Sequence, residues 1–352
     1  MRESAFPSSD MGASEAIESY YLETREGFFF TVKGLEHPPD RWIAVLRYLP
    51  DQKMGTREKD GKFYRRLYGF KEQVQCIEEV CPQYRAYDQV FRTTLQSVPR
   101  LQVRNIYDPR QKLHELTQAA VRDRLEEDVV AFSGLLEKEA RVPASSLGIT
   151  GSVLIGMHAD HSDIDIVAFG EDGCRKVHQA LGRLLADSSC KELKQLDAKG
   201  MEKLYVQRVV DSKMEYSEFV HLEQRKVNQG TFRGCPYFIR FVKEPFEAGS
   251  DYGQLHYTPI AQENLQAVIA EDRDAIFTPC RYGLSGTQTT GKKRMSDLNE
   301  IVSFRGRFCD QAQIGDRIMA TGTLEQVQDG QGVIRHRLLL GNSREDTMVV
   351  LR

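Results

Sequence analysis

Two hydrophobic rhythms alternate along the chain. The first is β-like. Phe28-Phe29-Phe30-Thr31-Val32 and Trp42-Ile43-Ala44-Val45-Leu46-Arg47-Tyr48 are rich in the aromatic and β-branched residues that fit a pleated surface. Between them, Gly34-Leu35-Glu36-His37-Pro38-Pro39-Asp40 is turn chemistry. The polar run 57–62 predicts a hairpin tip ahead of Phe63-Tyr64-Arg65-Arg66-Leu67. The second rhythm is helical. It predicts helices over 70–80 and 86–96. From 109 to 141, Leu113, Leu116, Ala120, Val121, Leu125, Val129, Val130, Leu135 and Leu136 recur near a 3.6-residue period. That predicts one long helix, stopped by Pro143.

Beyond residue 146 the rhythms interleave. Strands are predicted over 147–150, 164–169 and 237–242, the last in the same sheet as the second, with helices over 172–185, 199–209 and 216–226. Such alternation is the pattern of a sheet covered by helices. After a linker at 249–253 come β-like runs at 265–269, 275–278, 301–308, 317–324, 333–340 and 348–351, punctuated by turn residues such as Gln328-Asp329-Gly330. That spacing predicts a small antiparallel barrel, OB-like in size. The expected class is therefore α+β multidomain. A polar lead-in (1–19) precedes an N-terminal α+β domain (20–113), a central mixed sheet with helices (114–250) and a C-terminal β domain (251–352).

Composition adds limits. The chain has 352 residues, 40% hydrophobic and 28% charged, which supports packed cores. A net charge of -3 means that a nucleic-acid partner would need a local basic surface. Lys292-Lys293-Arg294 is one short basic run, though three charges are more often simply solvated. Seven scattered cysteines, with no CxxC, read as reduced thiols, and the nearest pair, Cys76 and Cys81, as chance or core packing. No apolar run reaches the roughly 20 residues that span a bilayer, and the first residues carry no apolar signal core. No membrane partner and a cytoplasmic location are the expectations.

Candidate chemistry concentrates in Leu147-Gly148-Ile149-Thr150-Gly151-Ser152-Val153-Leu154-Ile155-Gly156 and Ser162-Asp163-Ile164-Asp165-Ile166. Asp163 and Asp165 flank Ile164 at a strand start, so they project from one face with Cα atoms roughly 7 Å apart. Two such carboxylates repel unless a cation lies between them, and magnesium accepts a few carboxylates together with phosphate oxygens. Gly151 allows close approach of a phosphate to the backbone, and Ser152 adds a hydroxyl donor. Gly156 keeps the following loop tight. His158 and His161 flank Asp160 just before the pair; such residues are more often solvated loop groups than groups that tune a metal or contact phosphate.

This combination resembles the signature of the DNA polymerase beta-type nucleotidyltransferase superfamily. The likeness is strongest over 147–170 and extends over 109–245 as a domain. The outer segments resemble those of predicted archaeal-type nucleotidyltransferases of unknown substrate. The resemblance implies that Gly151 and Ser152 hold a nucleoside triphosphate, and that Asp163 and Asp165 bind magnesium, with manganese as an alternative. It implies transfer of a nucleoside monophosphate to a hydroxyl acceptor, with RNA or another nucleic acid among the candidates. Ser162 and Arg240 are further candidates for the nucleotide. Superfamily members carry a third acid on a neighbouring strand. Here Arg240 stands where that acid is expected, and Glu244, of the same strand parity, is the substitute candidate. A chain without the third acid could bind nucleotide without transferring it, or bind nucleic acid through a vestigial core.

Overall fold

The computed structural model describes residues 15–210, 213–289 and 297–351. It is a mixed α+β structure with seven α-helices and three sheets among these residues. The Lys292-Lys293-Arg294 run lies outside them.

The N-terminal sheet contains β1 (Tyr21–Thr24), β2 (Phe29–Val32), β3 (Arg41–Pro50), β4 (Arg57–Lys59), β5 (Lys62–Arg66), β6 (Arg85–Asp88), β7 (Thr93–Pro99) and β8 (Val103–Tyr107). Its main path runs β4-β5-β3-β2-β1-β8, with β7 on β3 and β6 on β7, all antiparallel. Helix α1 (Phe70–Val80) lies where expected. The helix expected over 86–96 is instead the β6–β7 hairpin. Asp88 decides this locally, because its Oδ1 accepts from the backbone N–H groups of Val90 and Phe91, both at 2.9 Å. That side-chain-held turn competes with helix, and β-branched Thr93 and Thr94 favour the strand that follows.

The lead-in also differs from expectation. Ala16, Ile17 and Glu18 are buried. Ile17 joins the apolar core, and the Glu18 carboxylate accepts from Lys33 Nζ and from the Gly34 N–H, both at 2.8 Å. A buried charge is tolerated when paired in this way.

The central unit starts earlier than residue 114. Helix α2 (Pro109–Gln118) places Leu113 and Leu116 in the central core. The single long helix is two, α2 and α3 (Arg124–Ala140). The Arg122 guanidinium donates to the carbonyls of Leu116 and Ala119, closing α2, and Asp123 opens α3 with a reciprocal capping box to Glu126. Local capping thus interrupts a continuous apolar stripe. Replacing Asp123 by alanine should cost about 1 kcal/mol, read as a lower denaturant midpoint with an unchanged slope. No shift of the midpoint would show that the break does not depend on this cap.

Strands β9 (Leu147–Ile149), β10 (Ile164–Phe169), β11 (Leu193–Lys194), β12 (Gln229–Phe232) and β13 (Cys235–Val242) form the sheet β11-β12-β13-β10-β9. The pair β10 and β13 is parallel and the others are antiparallel. Helices α4 (Gly151–Leu154), α5 (Glu171–Ala186), α6 (Ala198–Val209) and α7 (Tyr216–Glu223) complete the unit.

Alternation assigns the two faces. Ile164, Ile166 and Ala168 of β10, with Tyr237, Ile239 and Phe241 of β13, pack under α3 and α5. Here Phe132 stacks on Phe232 with centroids 4.7 Å apart. On the opposite face, Val167, Phe169 and Val242 share a core with Leu22, Phe30, Val32 and Leu46 of the N-terminal sheet. The two sheets therefore meet on the face that carries Asp165.

The C-terminal strands are β14 (Leu255–Glu271), β15 (Cys280–Thr289), β16 (Leu298–Ser303), β17 (Arg317–Asp329), β18 (Ile334–Leu340) and β19 (Thr347–Val350). Pairing runs β14-β15-β16-β18-β17 and returns from β17 to β14, with β19 on β17. Only the β16–β18 pair among them is parallel. Residues 275–278, expected as β, form a turn instead, with one bridge from Phe277 to Phe241. The strand expected over 301–308 stops at Ser303, and a short 3-10 turn follows at Gly306–Phe308. All seven cysteines are free; Cys76 and Cys81 lie in the N-terminal core. No helix among the described residues is long and apolar enough to cross a membrane.

Candidate active site

The motif residues meet at the N-terminal end of β10. β9 leads into Thr150, whose N–H donates to the Asp165 carbonyl at 2.8 Å and whose hydroxyl donates to the Ser19 carbonyl at 2.6 Å. The chain then turns sharply at Gly151, φ +67, into the single turn α4. A side chain could not be accommodated there. A β-carbon on Gly151 would overlap the Asp165 carboxylate, with Asp165 Cγ at 3.0 Å and Cβ at 3.2 Å. The glycine is thus required twice, by its backbone and by the carboxylate lying over it.

Ser152 follows and is buried at 3% exposure, yet its Oγ has no hydrogen-bond partner among the described residues. An unsatisfied buried hydroxyl is uncommon and calls for an explanation. Leu154, Ile155 and Met157, just beyond it, pack against Tyr21, Phe29, Tyr48 and Tyr64 of the N-terminal sheet. That contact wedges the motif turn between the two sheets.

Asp163 and Asp165 are half-buried. Neither carboxylate makes a side-chain hydrogen bond or an ion pair among the described residues. Burial first, and then the charge of Asp163, push the Asp165 carboxyl up to about 7, while Arg66, Arg240 and Arg47 pull it back. Burial works against the Arg66 charge as well, but Tyr48, Tyr68, Asp163 and Asp165 outweigh it and raise its pKa. Arg57, buried at 5% exposure, donates from Nη1 to Ser162 Oγ at 3.1 Å. The charges of Arg66, Arg240 and Arg47 thus act on Asp165, and Arg57 holds Ser162 beside Asp163.

Three of those arginines, Arg47, Arg57 and Arg66, come from β3, β4 and β5, a region in which sequence reasoning found no site. They lie far from the motif in sequence, and only the packing of the N-terminal sheet on the motif turn brings them to it. The runs Arg57 and Arg65-Arg66 beside the hairpin tip were the one available signal.

The remaining candidates separate. Arg240 does face the site. Its neighbours in register put Phe238 opposite Asp165 and Arg240 opposite Val167, and Glu18 lies 3.4 Å from its Nη1. Glu18 also holds Lys33, whose ammonium burial pulls down to about 8 against that attraction. Ser162 is a clip for the loop: its Oγ accepts from Arg57 and from the Ala159 N–H at 3.0 Å.

Glu244 is not brought to the site. It lies six residues beyond Phe238, roughly 20 Å along the strand direction, at the opposite end of β10 and β13. There it caps a 3-10 turn and pairs with Arg110. On β13 the positions nearest Asp165 on its face are Phe238, then Pro236 and Arg240, and β13 carries no acidic residue, so this strand supplies no third acid.

A second cluster lies at the start of α3. Asp123, Glu126 and His158 each bring a ligand atom within 4.8 Å of the others. The Asp123 and Glu126 carboxylates are engaged in the capping box, and His158 Nε2 is 2.7 Å from Asp123 Oδ2.

The chain is 29% identical over 332 residues to the uncharacterized protein MJ1086 of Methanocaldococcus jannaschii, which covers 92% of this chain and 95% of that one. No family model matches the chain, and no solved structure matches it. Near-complete coverage means that the relative spans the N-terminal arginines, the motif turn and the C-terminal strands together.

Proposed function

We propose that the chain is a metal-dependent nucleotidyltransferase. The observation that carries this reading is the contact between Gly151 and the Asp165 carboxylate, beside the unpartnered Ser152 hydroxyl. A glycine turn, a free hydroxyl and two unpaired acids form a cradle that a triphosphate and a divalent cation complete. The five-stranded mixed sheet around Asp165 then serves as the catalytic core of the polymerase beta type. The strand circuit β14-β15-β16-β18-β17, five strands of a Greek-key type, supports reading the C-terminal unit as OB-like. RNA or another nucleic acid is accordingly one class of acceptor.

The donor set suits magnesium, or manganese: hard oxygen ligands from Asp163 and Asp165, a kind that such ions combine with phosphate oxygens. When bound, the cation supplies Lewis acidity toward the phosphates. The chain's own residues do the rest. Gly151 admits a phosphate to the backbone, and Ser152 Oγ donates to it. Arg66 and Arg240 neutralise phosphate charge that develops as the acceptor oxygen bonds to the α-phosphorus and pyrophosphate departs.

The test is transfer from α-labelled nucleoside triphosphates, with magnesium, to a panel of RNA, protein and small hydroxyl acceptors. Label transfer is expected in the wild type and is lost in the Asp163→Ala, Asp165→Ala double variant. Transfer that persists in the double variant would overturn the assignment of the site.

A second reading is favoured by Phe238 and Arg240 standing on β13 where a third acid would lie. It makes the chain a nucleotide-binding protein that does not turn over. Tight triphosphate binding without pyrophosphate release would establish it.

A further inference from the structure

The strand that supplies Arg66 continues into an aromatic residue placed beside it. Leu67 is buried, and its N–H donates to the Arg47 carbonyl at 2.9 Å. Tyr68 follows, 59% exposed, with its N–H donating to Glu72 Oε2 at 3.3 Å. Both bonds hold the backbone just before the exposed ring, and just after it the Gly69 carbonyl accepts from the Gln73 N–H at 3.0 Å. The Arg66 guanidinium carbon lies 4.6 Å from the Tyr68 ring centroid. The same guanidinium senses Asp163 and Asp165. One arginine thus links an exposed aromatic ring to the carboxylate pair.

We infer that Tyr68 is the stacking platform for the nucleobase of the triphosphate whose phosphates meet Arg66. The inference rests on the nucleotide reading above and adds where the base lies. In a nucleotide, a single ribose separates base from α-phosphate. Here the guanidinium that stacks on the ring also feels the charge of both carboxylates. A flat base gains from an aromatic face whatever its hydrogen-bonding edge, so a lone tyrosine favours nucleotides over bare polyphosphate more than it separates one base from another. If Tyr68 served only to shield Arg66, it would act equally on every phosphate ligand.

The experiment is calorimetric titration of the full chain with magnesium. The ligands are the α,β-methylene analogues of the four nucleoside triphosphates, which cannot lose pyrophosphate, and inorganic tripolyphosphate. Tyr68→Ala should weaken the nucleotide analogues about tenfold or more and leave tripolyphosphate unchanged. Tyr68→Phe should bind like the wild type. Unchanged nucleotide affinity in Tyr68→Ala, or an equal loss for tripolyphosphate, would overturn the platform. A wild type that binds tripolyphosphate as tightly as the nucleotides would overturn it too, while leaving the phosphate site standing. A wild type that binds none of these ligands would overturn the site itself, and the platform with it.

Discussion

Replacing Gly151 by alanine is expected to destabilise the protein by about 3 kcal/mol or more and to reduce nucleotide transfer at least about a hundredfold. Two costs add. A left-handed backbone at a non-glycine residue costs on the order of 1–3 kcal/mol. Forcing a methyl group into the Asp165 carboxylate adds an overpacking cost of similar size, and displacing a reacting group by about 1 Å costs near a hundredfold in rate. A control separates the terms. Gly234, in the β12–β13 turn, has φ +83 and nothing within 4 Å of its missing β-carbon. Gly234→Ala carries the backbone cost alone, about 1 kcal/mol. Equal losses of stability in the two variants, measured by denaturant unfolding, would show that the carboxylate does not press on Gly151.

Asp165→Asn should instead make the protein more stable while abolishing its activity. The carboxyl is raised in the folded state from an ordinary value near 3.8 to about 7. A group raised in this way contributes stability that is fully present below its unfolded value and is lost as pH rises to the folded value. The wild type should therefore lose stability across about pH 4 to 7 in a way that the asparagine variant does not. The gap between the two, measured by unfolding with chelator present, should open over that range, reach a few kcal/mol and stay flat above it. A gap independent of pH would show that Asp165 is not desolvated. Magnesium should narrow the gap at pH 8, because the cation favours the ionised carboxylate. Stability given up at one carboxylate is the ordinary cost of a prepared site.

The meeting of Gly151 with Asp165 was legible because it is local. Gly151-Ser152 and Asp163/Asp165 need only a tight turn and strand parity, both of which sequence spacing encodes. Strand parity also put Arg240 on the correct face. The same argument fails for Glu244, since parity gives the face of a sheet but not the distance along it. Arg47, Arg57 and Arg66 were illegible for a different reason. Arg47 and Arg66 act on Asp165, and Arg57 on Ser162, through strand pairings and through packing of one sheet on another, which no periodicity reports. The β6–β7 hairpin and the break at Ala119–Asp123 were decided by single side chains, Asp88, Arg122 and Asp123, binding nearby backbone groups. Such bonds override a propensity worth only tenths of a kcal/mol per residue. Five of the six C-terminal strands overlap an expected run and β15 matches none, and their closed circuit depends on a parallel β16–β18 pairing that turn signals cannot reveal.

The wedge of Leu154, Ile155 and Met157 against four aromatic residues of the N-terminal sheet bears on how this protein could change over time. A fragment starting at Asp108 would keep both aspartates and the glycine turn, but lose three arginines and the wall that holds the turn in place. The motif turn and the N-terminal sheet are therefore one packed unit. A substitution at Arg47 or Arg66 is a change to the site as much as one at Asp163, and shuffling the motif alone into another chain would transfer its letters without its charge balance.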